Sequence, residues 1–223
     1  MGISSMTAVE VVRRKAGGVK TGHAGTLDPR ATGVLVLALG SATKLINRLM
    51  ATDKRYRTTI DLRAFTTTDD LEGDPTPVDV ATPPTHEQVQ AALGRFVGSI
   101  MQRPPQFSAM KIGGKRAYKM ARQGQTVKID ARPVVIHGID LLRYDWPLVE
   151  LAMHCEKGVY VRSLARDLGE ALGTGGHCIA IHRIAVGPFS DALAVPLQDV
   201  PEPLNQEHVL TGEQTLAMLG DKP

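Results

Sequence analysis

Aromatic side chains are scarce in this chain: four Phe, four Tyr and one Trp make up 4% of 223 residues. A core built from it must lean on Val, Leu, Ile, Ala and Met. Cysteine is nearly absent too. Cys155 and Cys178 form no CxxC pair, which excludes a disulfide scaffold and implies two buried thiols in a reducing cytoplasm. No apolar run approaches the roughly 18 residues of a membrane span. The start, Met1 to Ser5, lacks the charged-then-apolar pattern of a signal peptide. There is no phosphate-binding Gly-Lys-Ser/Thr, no Rossmann glycine spacing, no HExxH, no Ser-His-Asp set and no paired-carboxylate spacing. The length suits one sizeable core with a small appendage.

The net charge of +3 is unevenly spread. Eight basic residues lie between Arg103 and Arg132, against the single acid Asp130, and Phe107, Tyr118 and three glycines interleave them. Between Asp69 and Asp79 there are five acids and no base. The basic block reads either as a polyanion-binding surface or as a solvated helix face.

Around one loop the remainder is organised. Gly22-His23-Ala24-Gly25-Thr26-Leu27-Asp28-Pro29-Arg30-Ala31-Thr32-Gly33 precedes the apolar run Val34 to Leu39. Glycines permit sharp backbone there, and Pro29 drives Asp28 towards an extended conformation. The run reads as a buried strand, so the pattern predicts a carboxylate at a strand mouth. Before it, Ser4 or Ser5 caps a helix with Met6, Val9, Val12 and Ala16 on one stripe and Gly17-Gly18 as its stop. After it, Ser41 caps a helix with Leu45, Ile46, Leu49 and Met50 on its apolar face. From Lys54 the period becomes two, predicting a half-exposed strand through Leu62. Residues 65–84 read as one long loop. Thr85 and Gln88 form a capping box for a helix burying Val89, Ala92, Leu93 and Phe96. A short helix is expected over 116–123, strands over 127–129, 134–142, 148–155 and 179–186, and helices over 163–172 and 212–219. Without a βαβ rhythm, the fold class is α+β with a largely antiparallel sheet.

Three groups are candidates for chemistry. Asp28 is either a turn-former before proline or a poised carboxylate. Arg162 stands where Tyr160-Val161 runs into a helix. A cation is disfavoured at a helix N-terminus, so it is either solvent-facing or balanced by an acid such as Asp28. His177, Cys178 and His182 match no usual zinc spacing. These residues leave two readings open, an enzyme acting on nucleic acid and an RNA-binding module.

Several blocks together resemble the TruB family of tRNA pseudouridine synthases. Gly22 to Pro29 with Ala31-Thr32-Gly33-Val34-Leu35 is similar to its catalytic-aspartate motif. Gly40 to Lys44 and Asp53 to Tyr56 match the next two blocks. Pro104-Pro105 with Ser108 to Lys111, Gly114 to Tyr118 and Ala121 to Gly124 resemble its RNA-contacting insertion, about 103–132, and Cys155 to Leu164 its arginine motif. The resemblance covers residues 2–190. It implies a pseudouridine-synthase fold with a central mixed, largely antiparallel sheet flanked by helices. It implies isomerisation of a T-loop uridine in tRNA (position 55 in tRNA numbering) without a cofactor or metal. Asp28 would be the nucleophile attacking a flipped-out nucleotide. Arg162 would pair with Asp28 and keep it ionised. Tyr56 would stack on the uracil and take the proton from C5. His23, Lys44, Tyr160, Lys111 and Arg122 would bind the substrate. The partner is the tRNA T-stem-loop; the protein is expected to be cytoplasmic, bacterial and monomeric, with no membrane contact.

The chain departs from the family pattern in three places. Met1 stands where the proline of a Lys-Pro pair is expected after an N-terminal edge strand, so either the start lies upstream or that strand and a substrate-facing lysine are lacking. Leu62-Arg63 and Thr66-Thr67-Thr68 replace the usual Leu-Gly and Thr-Asp-Thr. Residues 196–223 are too few for an RNA-binding PUA domain. They are expected to be a short extension after a catalytic domain over 1–195. A catalytically silent RNA-binding or RNA-folding protein of the same fold is the alternative.

Overall fold

The computed structural model describes the chain apart from residues 1, 109, 113–114, 117–119, 121–122, 124–128 and 221–223. At 111–112 and 115–116 it describes the backbone alone. The chain divides into two compact units, one of residues 1–56 and 182–223, the other of 57–181.

The first unit opens with α1 (Ser5–Lys15). Ser4 is its cap, its side chain accepting from Thr7 N at 3.0 Å, while Arg13, Arg14 and Lys15 occupy the last turn, complementing the dipole. Its buried face is Ser5, Ala8, Val9 and Val12. Met6, expected on that face, is 61% exposed. The cause is rotational: the face runs through positions 5, 8, 9 and 12, and Met6 is one residue, about 100°, away from it. Strand β1 (Thr21–His23) pairs antiparallel with β3 (Leu37–Leu39), and β2 (Thr32–Gly33) lies between them in sequence. The expected strand over 34–39 is therefore shortened to three residues. A 3₁₀ turn over Gly40–Leu45 precedes α2 (Ile46–Ala51), so Ser41 lies inside that turn and caps nothing. Leu49 is buried and Met50 exposed. Ala24, Leu49 and Phe189 form a local core with Val36, Leu45, Met218 and Leu219 packed on it.

Strand β4 (Lys54–Asp61) runs from the first unit into the second, alternating as its period of two requires, with Thr58 and Ile60 buried and Arg55 and Arg57 exposed. In the second unit the segment expected to be one long loop carries a hairpin, β5 (Ala64–Thr66) and β6 (Pro75–Pro77), in register Phe65↔Thr76. Its Pro and Thr content hid it, because proline is tolerated only at an edge and donates no ladder bond. Helix α3 (His86–Gly94) has the expected capping box of Thr85 and Gln88 and buries Val89, Ala92 and Leu93. Then come β7 (Gly98–Gln102), two short paired strands β8 (Lys111–Ile112) and β9 (Lys115–Arg116), and the long antiparallel pair β10 (Arg132–Asp145) and β11 (Leu148–Cys155). Arg116 is thus in a strand. The remainder of the helix expected over 116–123, and of the strand over 127–129, falls mostly outside the described residues.

Helix α4 (Val161–Leu172) is stopped by Gly173 at φ 69°, and packs beside α3. Strand β12 (His177–Val186) passes back into the first unit, where β13 (Phe189–Ser190) pairs antiparallel with it and β2 parallel. In the second unit the strand order is β12, β4, β11, β10, β7. The last helix, α5 (Gly212–Met218), is capped by Thr211 with Gln214. The fold is α+β with a mixed, largely antiparallel sheet.

Candidate active site

Asp28 lies in the loop between β1 and β2, and the loop is tied down at several points. Ala24 N donates to Val36 O at 2.9 Å, and Ala31 N to Asp28 O at 2.9 Å, closing a turn across Pro29. Ser5, the first residue of α1, accepts from Leu27 N at 2.9 Å and donates to Leu27 O at 3.2 Å. Two adjacent serines therefore divide the work, Ser4 capping the helix and Ser5 holding the residue before Asp28. The half-buried Asp28 lines a largely apolar cavity of about 520 Å³ together with Ser4, Gly33, Val36, Phe189 and Asp191.

The strongest anchor of the loop is a residue that sequence reasoning missed. Arg183, on β12, is 2% exposed. Its guanidinium donates to Val34 O at 2.8 Å, Thr26 O at 3.2 Å and Gly25 O at 3.1 Å. Its own carbonyl accepts from Val34 N at 2.9 Å. The guanidinium also hydrogen-bonds the Tyr56 side chain and feels the charge of Asp28; burial pushes its pKa down, and those two groups push it back up. Asp28 and Tyr56, far apart in sequence, thus both favour the charged form of one buried cation. The available signal was a basic residue inside the apolar run Ile179-Ala180-Ile181-His182-Arg183-Ile184-Ala185-Val186, since a charge at a buried strand position must find partners.

His23 is half-buried on β1, opposite Leu37, and Lys44 stands exposed in the turn before α2. His182 meets Thr32 Oγ1 at 2.9 Å and Asp191 at 3.3 Å.

In the second unit Arg162 is nearly buried at the start of α4. It faces Asp70 at 3.2 Å and donates to Thr68 O at 2.9 Å and Phe107 O at 3.1 Å. The acid that balances this cation inside its own unit is therefore Asp70. One turn on, Arg166 pairs with Asp69 and with Asp167, both at 2.8 Å, and donates to Arg103 O at 2.8 Å. Burial pushes the Asp69 carboxyl up to about 6, against the pull of Arg166 and Arg162. Asp69 also holds φ 60°, a left-handed conformation that aspartate tolerates better than most residues. Tyr160 precedes α4. Its backbone N–H and C=O are both bonded to the Gln102 side chain, at 2.8 and 3.1 Å, and the Arg132 guanidinium lies 5.4 Å from its ring centroid. His177 meets Ala64 O at 2.8 Å, and the Cys178 thiol lies 3.6 Å from Val161 O. Lys111 is described only as strand backbone, and Arg122 lies outside the described residues.

A sequence model of the TruB family pseudouridylate synthase N terminal domain matches residues 13–161. The chain belongs to the TruB family of pseudouridylate synthases. A second model, the tRNA pseudouridylate synthase B C-terminal domain, matches residues 162–217, so the two meet at the start of α4. The tRNA pseudouridine synthase B of Corynebacterium diphtheriae is 46% identical over 97% of this chain and 74% of its own. That of Caulobacter vibrioides is 48% identical over 88% of this chain and 63% of its own. Among solved structures, a Cbf5-Nop10-Gar1 complex contains a chain that matches with a TM-score of 0.69 at 28% identity, over 89% of this chain. This chain spans 50% of that one's length. An H/ACA RNP bound to a substrate RNA containing 2'-deoxyuridine matches at 0.66 and 25% identity, over 89% of this chain and 49% of the other. The family makes the chain an isomerase, and the α+β fold expected from its sequence is the one it shares with these solved structures. Among the described residues, no helix is long and apolar enough to cross a membrane.

Proposed function

We propose that the protein isomerises uridine to pseudouridine in the T-loop of tRNA, at position 55 in tRNA numbering. Asp28 is the nucleophile, Tyr56 the proton acceptor and Arg162 the arginine partner. The observation that carries this reading is the buried Arg183 guanidinium, which ties down the loop that holds Asp28 and whose charged form Tyr56 and Asp28 both favour. The named tRNA pseudouridine synthase B relatives supply the substrate class.

The reaction conserves every atom. The carboxylate of Asp28 adds to the flipped-out nucleotide, at base or sugar, and the bond between N1 and the ribose breaks. The uracil turns, and its C5 bonds to the ribose carbon as Asp28 departs. The proton lost from C5 passes to the Tyr56 oxygen, and N1 gains one in exchange. No cofactor is required. Extruding the base costs about a few kcal/mol of stacking. On this reading His23 and Tyr160 repay part of it by stacking, and Lys44, Lys111 and Arg122 hold phosphates. On this reading residues 1–195 carry the chemistry.

The test is to incubate the purified protein alone with an unmodified tRNA transcript and map pseudouridine. Modification confined to the T-loop uridine is expected. Tight, salt-sensitive tRNA binding without any pseudouridine would refute the reading in favour of an RNA-binding protein.

A further inference from the structure

We propose that Arg183 is a positioning residue for the isomerisation: one buried guanidinium fastens both ends of the Asp28 loop and holds a cationic donor against the Tyr56 oxygen. This rests on the function proposed above.

Both ends of the loop meet at this one residue. Gly25 O and Thr26 O, before Asp28, and Val34 O, after it, accept from the same planar group, at 3.1, 3.2 and 2.8 Å. The main chain of Arg183 adds a fourth tie, its carbonyl accepting from Val34 N. The loop is built to allow this approach. Arg183 pairs with Gly33 in the parallel ladder, and a Cβ at Gly33 would lie 2.2 Å from the Arg183 carbonyl oxygen. Gly25 holds φ 113°, a conformation that L side chains rarely adopt.

A purely structural clamp would need only the carbonyls. Carbonyls alone, however, leave a buried cation without a counter-charge, which is costly. The groups that favour its charged form are Tyr56, by hydrogen bond and charge, and Asp28, by charge. The chemistry explains why a cation belongs there. A phenol oxygen takes a proton only while it carries negative charge, and an adjacent cation stabilises that form. Arginine suits both tasks because its five N–H donors in a rigid fork can reach three carbonyls and a phenol together; lysine offers three donors on one atom.

The test uses the full chain, an unmodified tRNA transcript, and Arg183→Lys and Arg183→Gln. Single-turnover rate is measured against pH, alongside tRNA affinity and thermal melting. Both variants are expected to bind tRNA as wild type does. Arg183→Gln should lose about 10²-fold or more in rate, and Arg183→Lys should keep more of it. In both, the rising limb of the pH–rate profile should move to higher pH. A rate loss that follows only the loss of folded protein, with an unmoved profile, would overturn the proposal. So would an unchanged rate, or failure of both variants to fold, which would make Arg183 a core residue only. Absence of pseudouridine with the wild type would instead overturn the function on which the proposal rests.

Discussion

Gly33→Ala is the substitution that most directly tests how the Asp28 loop is held. Gly33 has φ 98°, a region that costs an L-residue about 1–3 kcal/mol. Its new Cβ would lie 2.2 Å from Arg183 O and 2.8 Å from Arg183 N. Both are backbone atoms, so no side chain can swing aside. Restoring ordinary contact requires a shift of about 1 Å, enough to break the 2.9 Å bond from Val34 N to Arg183 O, worth about 1 kcal/mol net. Gly18→Ala isolates the first effect, because Gly18 has φ 83° and open space around it. The two variants should therefore differ by about 1–3 kcal/mol, with Gly33→Ala the worse. For a chain of this length that is about 2–12 °C in Tm. Thermal melting of both beside wild type is the assay, with pseudouridine formation as a second readout. Equal melting would refute the close approach. So would a Gly33→Ala protein with full activity.

Asp28→Asn should abolish pseudouridine formation while melting and tRNA affinity stay near wild type; an active Asp28→Asn enzyme would exclude the nucleophile assigned here. Arg162→Met should destabilise by about 3–5 kcal/mol in urea denaturation, because it removes the cation paired with Asp70 and leaves the Thr68 and Phe107 carbonyls without their donor; a loss below about 1 kcal/mol, the range of an exposed ion pair, would contradict the pairing. Asp69 sets a pH dependence. Its folded-state value, raised to about 6 from the ordinary 3.8, means that its contribution to stability is full below about pH 4 and is lost as pH rises through 6. By linkage the change is about 3 kcal/mol, so urea midpoints of wild type and Asp69→Asn should separate between pH 4 and 7, with the wild type falling relative to the variant, and parallel profiles would count against the assignment.

Periodicity found most of the framework. The capping box of Thr85 and Gln88, the alternation from Lys54 and the strand Leu148–Cys155 are local patterns, and local patterns survive folding. What failed depended on distant partners. The run 34–39 reads as one strand, but its first half is held by Arg183, which leaves only Leu37–Leu39 for pairing with β1. The hairpin of β5 and β6 was hidden behind prolines. For Arg162 the helix N-terminus rightly announces that an acid is needed, and within its own unit Asp70 meets it at 3.2 Å. Asp28 and Tyr56 stand out through family blocks, whereas Arg183 reads only as part of a strand. It carries no motif of its own, and its meaning comes from the loop it meets.

That meeting also bears on how the protein is made. The contacts joining Arg183 to Val34, Thr26 and Gly25 span 149, 157 and 158 residues of chain. A ribosome adding about 5–20 residues per second needs roughly 8–30 s to cover that distance. During that interval the N-terminal segment is already outside with its aspartate, and its fastening has not yet been synthesised. Contacts this remote are late to form, since the loop they close must be ordered first. The nascent chain therefore carries the Asp28 carboxylate long before it can hold it in place, and the fastening arrives with β12.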